Sequence, residues 1–256
     1  MIFDTHAHYD DEKFDSDRAE LLSVINQKNV NRIINVGASL RGCKDSLKLA
    51  EQYDFIYAAL GIHPEELEDL TDENLIWLSE NLSHDRVVAL GEIGLDYYWC
   101  KEEQDQAKQK EFFIKQLEIA QDIDIPVIIH SREAAEDTMS ILKEYRGKKP
   151  TVIHCYSYSK EIAQEYLKLG YYIGVGGVVT FKNAKKLVET VEAIPIEKIL
   201  IETDSPYMAP TPYRGERNDS SLLKFVIEKI AEIKKLSIED VENITYQNAL
   251  DFYRLQ

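Results

Sequence analysis

Short runs of apolar and β-branched residues alternate with longer amphipathic segments along the whole chain. Several runs, such as "RIINVG", "IPVIIH" and "KILIET", are continuously apolar, which is typical of strands covered on both faces. Eight such runs occur, and we expect each to form a strand. The predicted strands are Ile2–His8, Arg32–Val36, Phe55–Ile62, Val87–Ile93, Pro126–His130, Thr151–His154, Tyr171–Val175 and Lys198–Glu202.

The segments between these runs carry apolar residues near helical spacing. In the last of them, Ser237 stands at the start and Asp240 follows three residues later, which resembles a capping box and predicts a helix start. The predicted helices are Ser16–Lys28, Gly42–Gln52, Asp72–Leu82, Glu103–Asp122, Glu133–Tyr145, Lys160–Leu169, Ala184–Ala193, Ser221–Lys234 and Ser237–Leu255.

Eight strand–helix units in 256 residues predict an α/β fold of the (β/α)8 TIM-barrel type. Charged residues are spread along the chain, and no Pro-rich or Gly/Ser-rich stretch indicates a linker, so we predict one domain over residues 1–256. An open, doubly wound sheet alternates in the same way and is the alternative. The positions of the polar residues favour the barrel.

Five of the six histidines fall at or just past the end of a predicted strand, and so do two carboxylates. In a barrel these strand ends gather on one face, where barrel enzymes place their active sites. His84, in "NLSHDRV", is the exception. The residues at the strand ends are His6, His8, His63, Glu92, His130, His154 and Asp204.

Side chains alternate along a strand, so positions i and i+2 share a face. His6 and His8 are therefore expected to point together toward the mouth of the barrel. The same parity pairs His130 with Arg132, and Glu202 with Asp204.

Each of these residues alone has an ordinary structural explanation, such as a hydrogen-bonded histidine or an Asx turn at Asp204. Even with His63 left aside, they place four imidazoles and two carboxylates on one rim, which is costly to bury without a cation. This donor set suits Zn, Mn, Co or Ni, and Mg if water fills much of the shell. Six ligands exceed the need of one catalytic zinc, so we predict two divalent ions that share one carboxylate.

The net charge of −16 argues against a broad electrostatic grip on nucleic acid, although it allows a local site where metal ions supply the positive charge. Three cysteines without a CxxC pair suit reduced thiols. We find no secretory signal and no run near the roughly 20 apolar residues that span a bilayer. These features predict a cytoplasmic protein without membrane association, and nothing indicates an obligate protein partner.

The motifs resemble those of the TatD-type metal-dependent deoxyribonucleases, a branch of the metal-dependent amidohydrolase superfamily of barrels. The resemblance runs from Asp4 to about Asn218. Its motifs appear in the order expected of that family: "DTHAH", "GIHP", "GEIGLDYY", "IHSR", "HCYS", "GGVVTFKNA", "ETDSPYMAP" and "YRGERN".

The resemblance implies a role for each matching residue. His6, His8 and Asp204 would bind one metal. His130 and His154 would bind the second, and Glu92 would bridge the two. His63 would lie beside the metals and contact the substrate phosphate.

The chain departs from the family pattern at two places. Tyr158 stands where "HCFSG" or "HSFSG" has glycine, and Asp219-Ser220 replaces the "EP" of "RNEP". The first change puts a bulky ring in a loop near the site, and the second shortens the acid and removes a proline. Neither change touches an expected metal ligand.

These features predict exonuclease-like hydrolysis of DNA or short nucleic-acid ends by a metal-activated water, with Asp204, Glu92 and His63 as the catalytic residues. Asp204 is expected to orient the water and accept its proton. Arg132 and Arg217 are candidates to hold phosphate, each with a surface ion pair as the alternative. Glu202 is a candidate to orient a metal-binding side chain without binding the metal itself. Seven tyrosines near the rim could stack bases, although packing explains most of them: Tyr97, Tyr98, Tyr156, Tyr158, Tyr172, Tyr207 and Tyr213.

Two other functions remain open. Dinuclear-metal barrels also cleave amides, esters and lactones, so a deacylase-like ester or amide hydrolase would carry the same ligands. A metal-binding protein without catalysis ranks last, because such a protein would have no use for the aspartate that follows strand eight.

Overall fold

A computed structural model describes residues 1–145, 147 and 149–256. Its strands form one parallel sheet in which each strand pairs with the next along the chain, from β1 to β8. The strands are β1 (Ile2–Ala7), β2 (Val30–Val36), β3 (Ile56–Leu60), β4 (Val87–Asp96), β5 (Val127–Arg132), β6 (Thr151–Ile153), β7 (Tyr172–Val175) and β8 (Ile199–Ile201).

The sheet closes just beyond the ends of β1 and β8. Ala7 and Ser205 form a parallel bridge. The His8 amide donates to the Ser205 carbonyl at 2.8 Å, and the Asp204 amide donates to the His6 carbonyl at 2.9 Å. The predicted (β/α)8 barrel is confirmed, and the open doubly wound sheet is wrong. The single-domain organisation of residues 1–256 stays a prediction.

Helices follow the strands at the predicted places. Ser237 caps the last one, since its hydroxyl accepts the Asp240 amide at 3.0 Å, as the capping pattern predicts. The helices are α1 (Arg18–Ile25), α2 (Leu40–Gln52), α3 (Asp72–Asn81), α4 (Glu103–Ile123), α5 (Ala135–Glu144), α6 (Lys160–Lys168), α7 (Lys185–Ala193), α8 (Leu223–Lys234) and α9 (Ile238–Tyr253). No helix in the described ranges has the length and apolarity to cross a membrane.

Apolar side chains fill the barrel and the layer between strands and helices. All ten residues of β4 are buried, as expected for a strand covered on both faces. At the N-terminal end of the barrel, the Arg86 guanidinium donates to the carbonyls of Ala50, Tyr53, Asp54 and Ile56. Arg86 thus joins the segments before β3 and β4 at this end, and the histidines and carboxylates predicted to form the site lie at the opposite end.

Six strands end at a residue other than the predicted one, and the differences in β4, β5 and β8 affect the site. β4 runs to Asp96 and β5 to Arg132, because their ladder continues past Ile93 through the pairs Gly94–His130 and Asp96–Arg132. Glu92 therefore lies within β4 and not at its end. β8 ends at Ile201, so Asp204 belongs to the loop that follows it.

Candidate metal centre

Glu92 lies at the middle of the cluster, buried within β4. Its Oε2 faces the Nε2 atoms of His6 at 3.3 Å and His8 at 4.0 Å. Its Oε1 faces Nδ1 of His130 at 2.7 Å and Nε2 of His154 at 3.0 Å. The two oxygens thus point to two separate pairs of imidazoles, which is the arrangement of a bridging carboxylate.

Asp204 completes the side formed by His6 and His8. Its Oδ1 lies 3.4 Å from His8 Nε2 and 3.8 Å from His6 Nε2. Asp204 has a φ of 57°, a left-handed conformation that turns it toward β1. The predicted shared face of Glu202 and Asp204 does not apply, because both residues follow the end of β8 and strand parity no longer sets their directions.

His63 lies at the edge of the cluster, with Nε2 3.5 Å from Glu92 Oε1. Its Nδ1 accepts the backbone amide of Glu65 at 3.2 Å. In the neutral ring the proton must then sit on Nε2, which faces the centre as a donor. This tautomer suits a contact to substrate oxygen better than metal ligation.

Contacts behind the rings of His8, His130 and His154 leave the other ring nitrogen of each turned inward. His8 Nδ1 donates to the Val36 carbonyl at 2.7 Å. His130 Nε2 contacts Asp96 Oδ2 at 3.0 Å, and His154 Nδ1 lies 3.4 Å from Glu202 Oε1. Such partners set the tautomer of a metal-ligating histidine and raise its basicity.

The sequence analysis missed Asp96. A usable signal was present, because Asp96 is four residues after Glu92 on one strand and so shares its face. The motif "GEIGLD" was interpreted only through its glutamate. Glu202, by contrast, lies where a residue that orients a ligand is expected.

The buried charges of the cluster are strongly coupled. Burial alone would raise the pKa of Glu92, but the charges of His154, His63 and His6 hold it well below its usual range. Burial opposes the charged form of His154, yet Glu92 and Glu202 raise its pKa well above the usual value. Burial likewise lowers, and Asp204 then raises, the pKa of His8, to about 9. Glu92 is therefore anionic and attracts cations.

The residues fit divalent cations. Three groups place one ligand atom per residue within 4.8 Å of each other: His6, His8 and Glu92; His63, Glu92 and His130; and His6, His154 and Glu202. His6 Nε2 and His8 Nε2 lie only 3.1 Å apart, and the rings of His6 and His154 stack at 3.8 Å. Buried imidazoles that converge in this way on carboxylates are typical of metal ligands.

The two arginines differ in their surroundings. The Arg217 guanidinium is paired with Asp17 at 2.5 Å and donates to the Lys13 carbonyl, on the wall of a cavity of about 540 Å³. The Arg132 guanidinium stacks on Tyr98 at 4.0 Å and forms no ion pair with any described residue. Arg217 is thus engaged with a carboxylate, whereas Arg132 contacts aromatic rings.

The departures from the family pattern have visible partners. The Tyr158 hydroxyl bonds with Ser131 Oγ at 2.9 Å and accepts the Ala134 amide, so it is engaged with the loop after β5. Asp219 accepts the Ser221 amide at 2.8 Å, and the Ser220 hydroxyl donates to the buried Asp4 at 2.6 Å. Of the seven tyrosines expected near the rim, Tyr172 lies instead at the start of β7, at the opposite end of the barrel. Tyr98, Tyr207 and Tyr213 are exposed, and the other three are buried or half-buried.

Comparison with known proteins supports these observations. The family model described as "TatD related DNase" matches residues 3–254. The chain is 44% identical over 256 residues to the Bacillus subtilis protein named uncharacterized metal-dependent hydrolase YabD, covering 100% of both. It is 35% identical to the Escherichia coli protein named uncharacterized metal-dependent hydrolase YcfH, covering 97% of this chain and 94% of that one.

Solved structures agree with the fold. The Escherichia coli TatD homologue YjjV superimposes with a TM-score of 0.91 at 31% identity, over 100% of this chain and 98% of that one. A TatD family hydrolase from Entamoeba histolytica gives 0.87 at 24% identity, over 98% and 97% of the two chains, and supports the fold alone.

Proposed function

This chain belongs to the family of TatD-related DNases, and from that premise we propose that it is a two-metal phosphodiesterase that removes nucleotides from the ends of single-stranded DNA. The family and the ligand cluster make it a metal-dependent hydrolase. The number of ions, the bond and the nucleic-acid substrate are the proposal. The ions would be drawn from Mg, Mn, Zn, Co and Ni, which suit the donors present.

The observation that carries the proposal is the position of Glu92 between two sets of ligands. His6, His8 and Asp204 would hold one cation on the Oε2 side. His130 and His154 would hold the second on the Oε1 side. Divalent ions bound there would supply Lewis acidity, which lowers the pKa of water and neutralises charge on a phosphoryl oxygen.

Asp204 is placed to act as the general base. Burial raises its pKa, but the hydrogen bond with His8 and the charges of His154 and His6 keep that pKa below its usual value. Asp204 is therefore ionised at neutral pH, with Oδ1 directed at the centre. It would orient the attacking water and accept its proton at Oδ1.

Two further groups suit a phosphate. The Nε2–H of His63 points into the centre and would donate to a phosphoryl oxygen that does not leave. Arg132, two residues after His130 on β5 and without an ionic partner in the described chain, would bind the next phosphate along the strand. A neutral ester or amide substrate would give this guanidinium no anion to bind.

The proposal is tested by following a 5′- or 3′-labelled single-stranded oligonucleotide with Mg, Mn or Zn and with EDTA. Wild type should release mononucleotides with metal and none with EDTA. Glu92→Gln should lose at least about 1,000-fold in rate, because both cations lose a ligand. Glu228→Gln, on the outer helix α8, is the matched control and should behave as wild type.

If the protein binds two ions and cleaves carboxylic esters rapidly but no oligonucleotide, it is an ester or amide hydrolase and not a phosphodiesterase.

The net charge of −16 predicts weak binding of long duplex DNA. Rapid nicking of closed circular DNA would therefore contradict the exonuclease-like preference.

A further inference from the structure

Exposed apolar side chains concentrate on the rim of the barrel around the metal centre. Within the described chain, five of the nine large hydrophobic residues exposed to solvent lie in the loops after β4 and β8. Trp99, in the loop after β4, is 60% exposed, and its neighbour Tyr98 is 38% exposed. Tryptophan is usually well buried, so an exposed one on an active-site rim indicates a binding role.

The loop holds the two rings in a defined arrangement. The Tyr98 and Trp99 rings lie 4.7 Å apart at an interplanar angle of 84°. The Arg132 guanidinium lies 4.0 Å from the Tyr98 ring centre and 5.6 Å from that of Trp99. Lys101 adds a second cation, 5.9 Å from Tyr98.

The same loop is tied directly to the metal centre. The Trp99 amide donates to Asp96 Oδ1 at 2.9 Å, while the other oxygen of Asp96 contacts His130 Nε2 at 3.0 Å. One buried carboxylate therefore positions both an expected metal ligand and the backbone of Trp99. The backbone of Trp99 is thus two hydrogen bonds away from the ring of His130.

We propose that Trp99, Tyr98 and Arg132 form a stacking site for an unpaired base of single-stranded DNA, with Arg132 binding the adjoining phosphate. The inference rests on the proposed phosphodiesterase function and adds a binding site for its substrate. Aromatic faces stack any base, and a neighbouring guanidinium binds the backbone phosphate. Paired bases in a duplex are stacked on each other and do not offer a face to this site.

The charge and size of the site favour a base over other occupants. Two rings and one guanidinium match a single nucleotide, whereas a stable protein interface buries about 800 Å² on each partner. The strongly acidic chain repels an anionic lipid surface as it repels duplex DNA. A short single strand that contacts the protein only at this site is therefore the ligand that fits the rim best.

Fluorescence provides a direct test, because the chain has two tryptophans. In Trp77→Phe, the only tryptophan is Trp99. The metal-loaded variant should lose Trp99 fluorescence on titration with a single-stranded phosphorothioate tetranucleotide. An abasic strand with the same phosphates, or a blunt duplex, should quench it at least about 5-fold less at equal concentration.

Kinetics provides the second test. Trp99→Ala should lower kcat/KM for a base-bearing single strand by about 5- to 100-fold, mainly through KM, and should lower it much less for the abasic strand. Trp99→Phe should retain most of the wild-type ratio between the two substrates, because phenylalanine still offers a ring. Ile76→Ala, at a residue 61% exposed on α3, is the matched control.

The outcomes separate the two proposals. If the wild type hydrolyses single strands but Trp99→Ala keeps the wild-type substrate ratio, or Trp99 is not quenched, the stacking site is wrong and the phosphodiesterase stands. If wild type hydrolyses neither strand yet Trp99 is quenched only by the base-bearing one, the stacking site stands and the phosphodiesterase is wrong.

Discussion

Asp96 determines which nitrogen of His130 faces the centre. A hydrogen bond from Nε2 to Asp96 Oδ2, at 3.0 Å, leaves Nδ1 as the ligand atom beside Glu92. Asp96 also raises the pKa of His130 against the opposing effect of burial, which makes the ring a stronger base. A carboxylate behind a ligating histidine therefore contributes to metal affinity without touching the metal.

We expect Asp96→Ala to weaken binding of the ion on the His130 side by about 10- to 100-fold, because the ring loses the partner that sets its tautomer. Competition with a fluorescent chelator measures this affinity. Nitrogen-15 spectra of His130 report the tautomer independently of activity. Asp85→Ala, at an exposed position before β4, is the control. Unchanged affinity together with an unchanged tautomer would contradict the role.

The protons on the histidines predict a pH dependence of metal binding. After the opposing effect of burial, Asp204 and Glu92 raise the pKa of His8 to about 9 in the metal-free protein. A protonated His8 has no lone pair at Nε2, so binding a cation must release its proton. The affinity should therefore rise with pH, by about 10-fold per unit for each proton released, up to about pH 9.

Chelator competition at pH 6.5, 7.5 and 8.5 measures that slope. His84→Ala should show the same slope as wild type, since His84 is paired with Glu51 away from the centre. An affinity that stays constant over this range would show that His8 is already deprotonated or is not a ligand.

At the scale of secondary structure, the short turn that precedes α8 is hydrogen-bonded to β1, where the barrel closes between β1 and β8. Asp4 on β1 is fully buried and accepts the hydroxyls of Thr203 and Ser220, each at 2.6 Å. Burial raises the pKa of Asp4 to about 7, although these donors oppose the rise. Ser220, where the family pattern has proline, thus supplies a hydrogen bond across the closure of the barrel.

We expect Ser220→Ala to lower the free energy of unfolding by about 1–3 kcal/mol at pH 8, because the ionised Asp4 loses a buried donor. Urea denaturation followed by circular dichroism measures the change. Ser221→Ala removes the neighbouring hydroxyl and should change stability by less than about 0.5 kcal/mol. Equal effects of the two substitutions would show that the bond to Asp4 contributes nothing specific.

A glycine explains why β4 and β5 approach so closely at the site. Gly94 has a φ of 148°, and a Cβ there would overlap the carbonyl oxygen of His130. The close contact lets Glu92 and Asp96 reach opposite nitrogens of the same ring. Two side chains of β4 therefore hold the ring of His130, on β5, from both sides.

For the whole molecule, the bound ions should act as a stabilising ligand. One ion at 100 times its dissociation constant adds about 2.7 kcal/mol to the free energy of unfolding. For a chain of this length, that raises the melting temperature by about 5–10 °C. Calorimetry of the metal-loaded protein before and after EDTA measures the difference. Glu92→Gln should show little response to EDTA, whereas a large response would place the stabilising ion elsewhere.

The sequence by itself determined the architecture and most of the residues that the structure brings together in the cluster. The alternation of apolar runs and amphipathic segments predicts eight strands because a covered strand must be apolar on both faces. Strand parity alone places His6 and His8 on one side, and barrel geometry gathers the strand ends at one mouth. These inferences need only local periodicity, and the structure agrees with them.

Only the tertiary structure decided the remaining features, because they depend on contacts between residues far apart in the chain. The pairing of Arg217 with Asp17 joins positions 200 residues apart. The role of Asp96 depends on the register of β4 with β5, and the direction of Asp204 depends on a loop conformation that no periodicity controls. The exposure of Trp99 likewise follows from the packing around its loop, since an aromatic residue in a sequence is equally compatible with a core or a binding site.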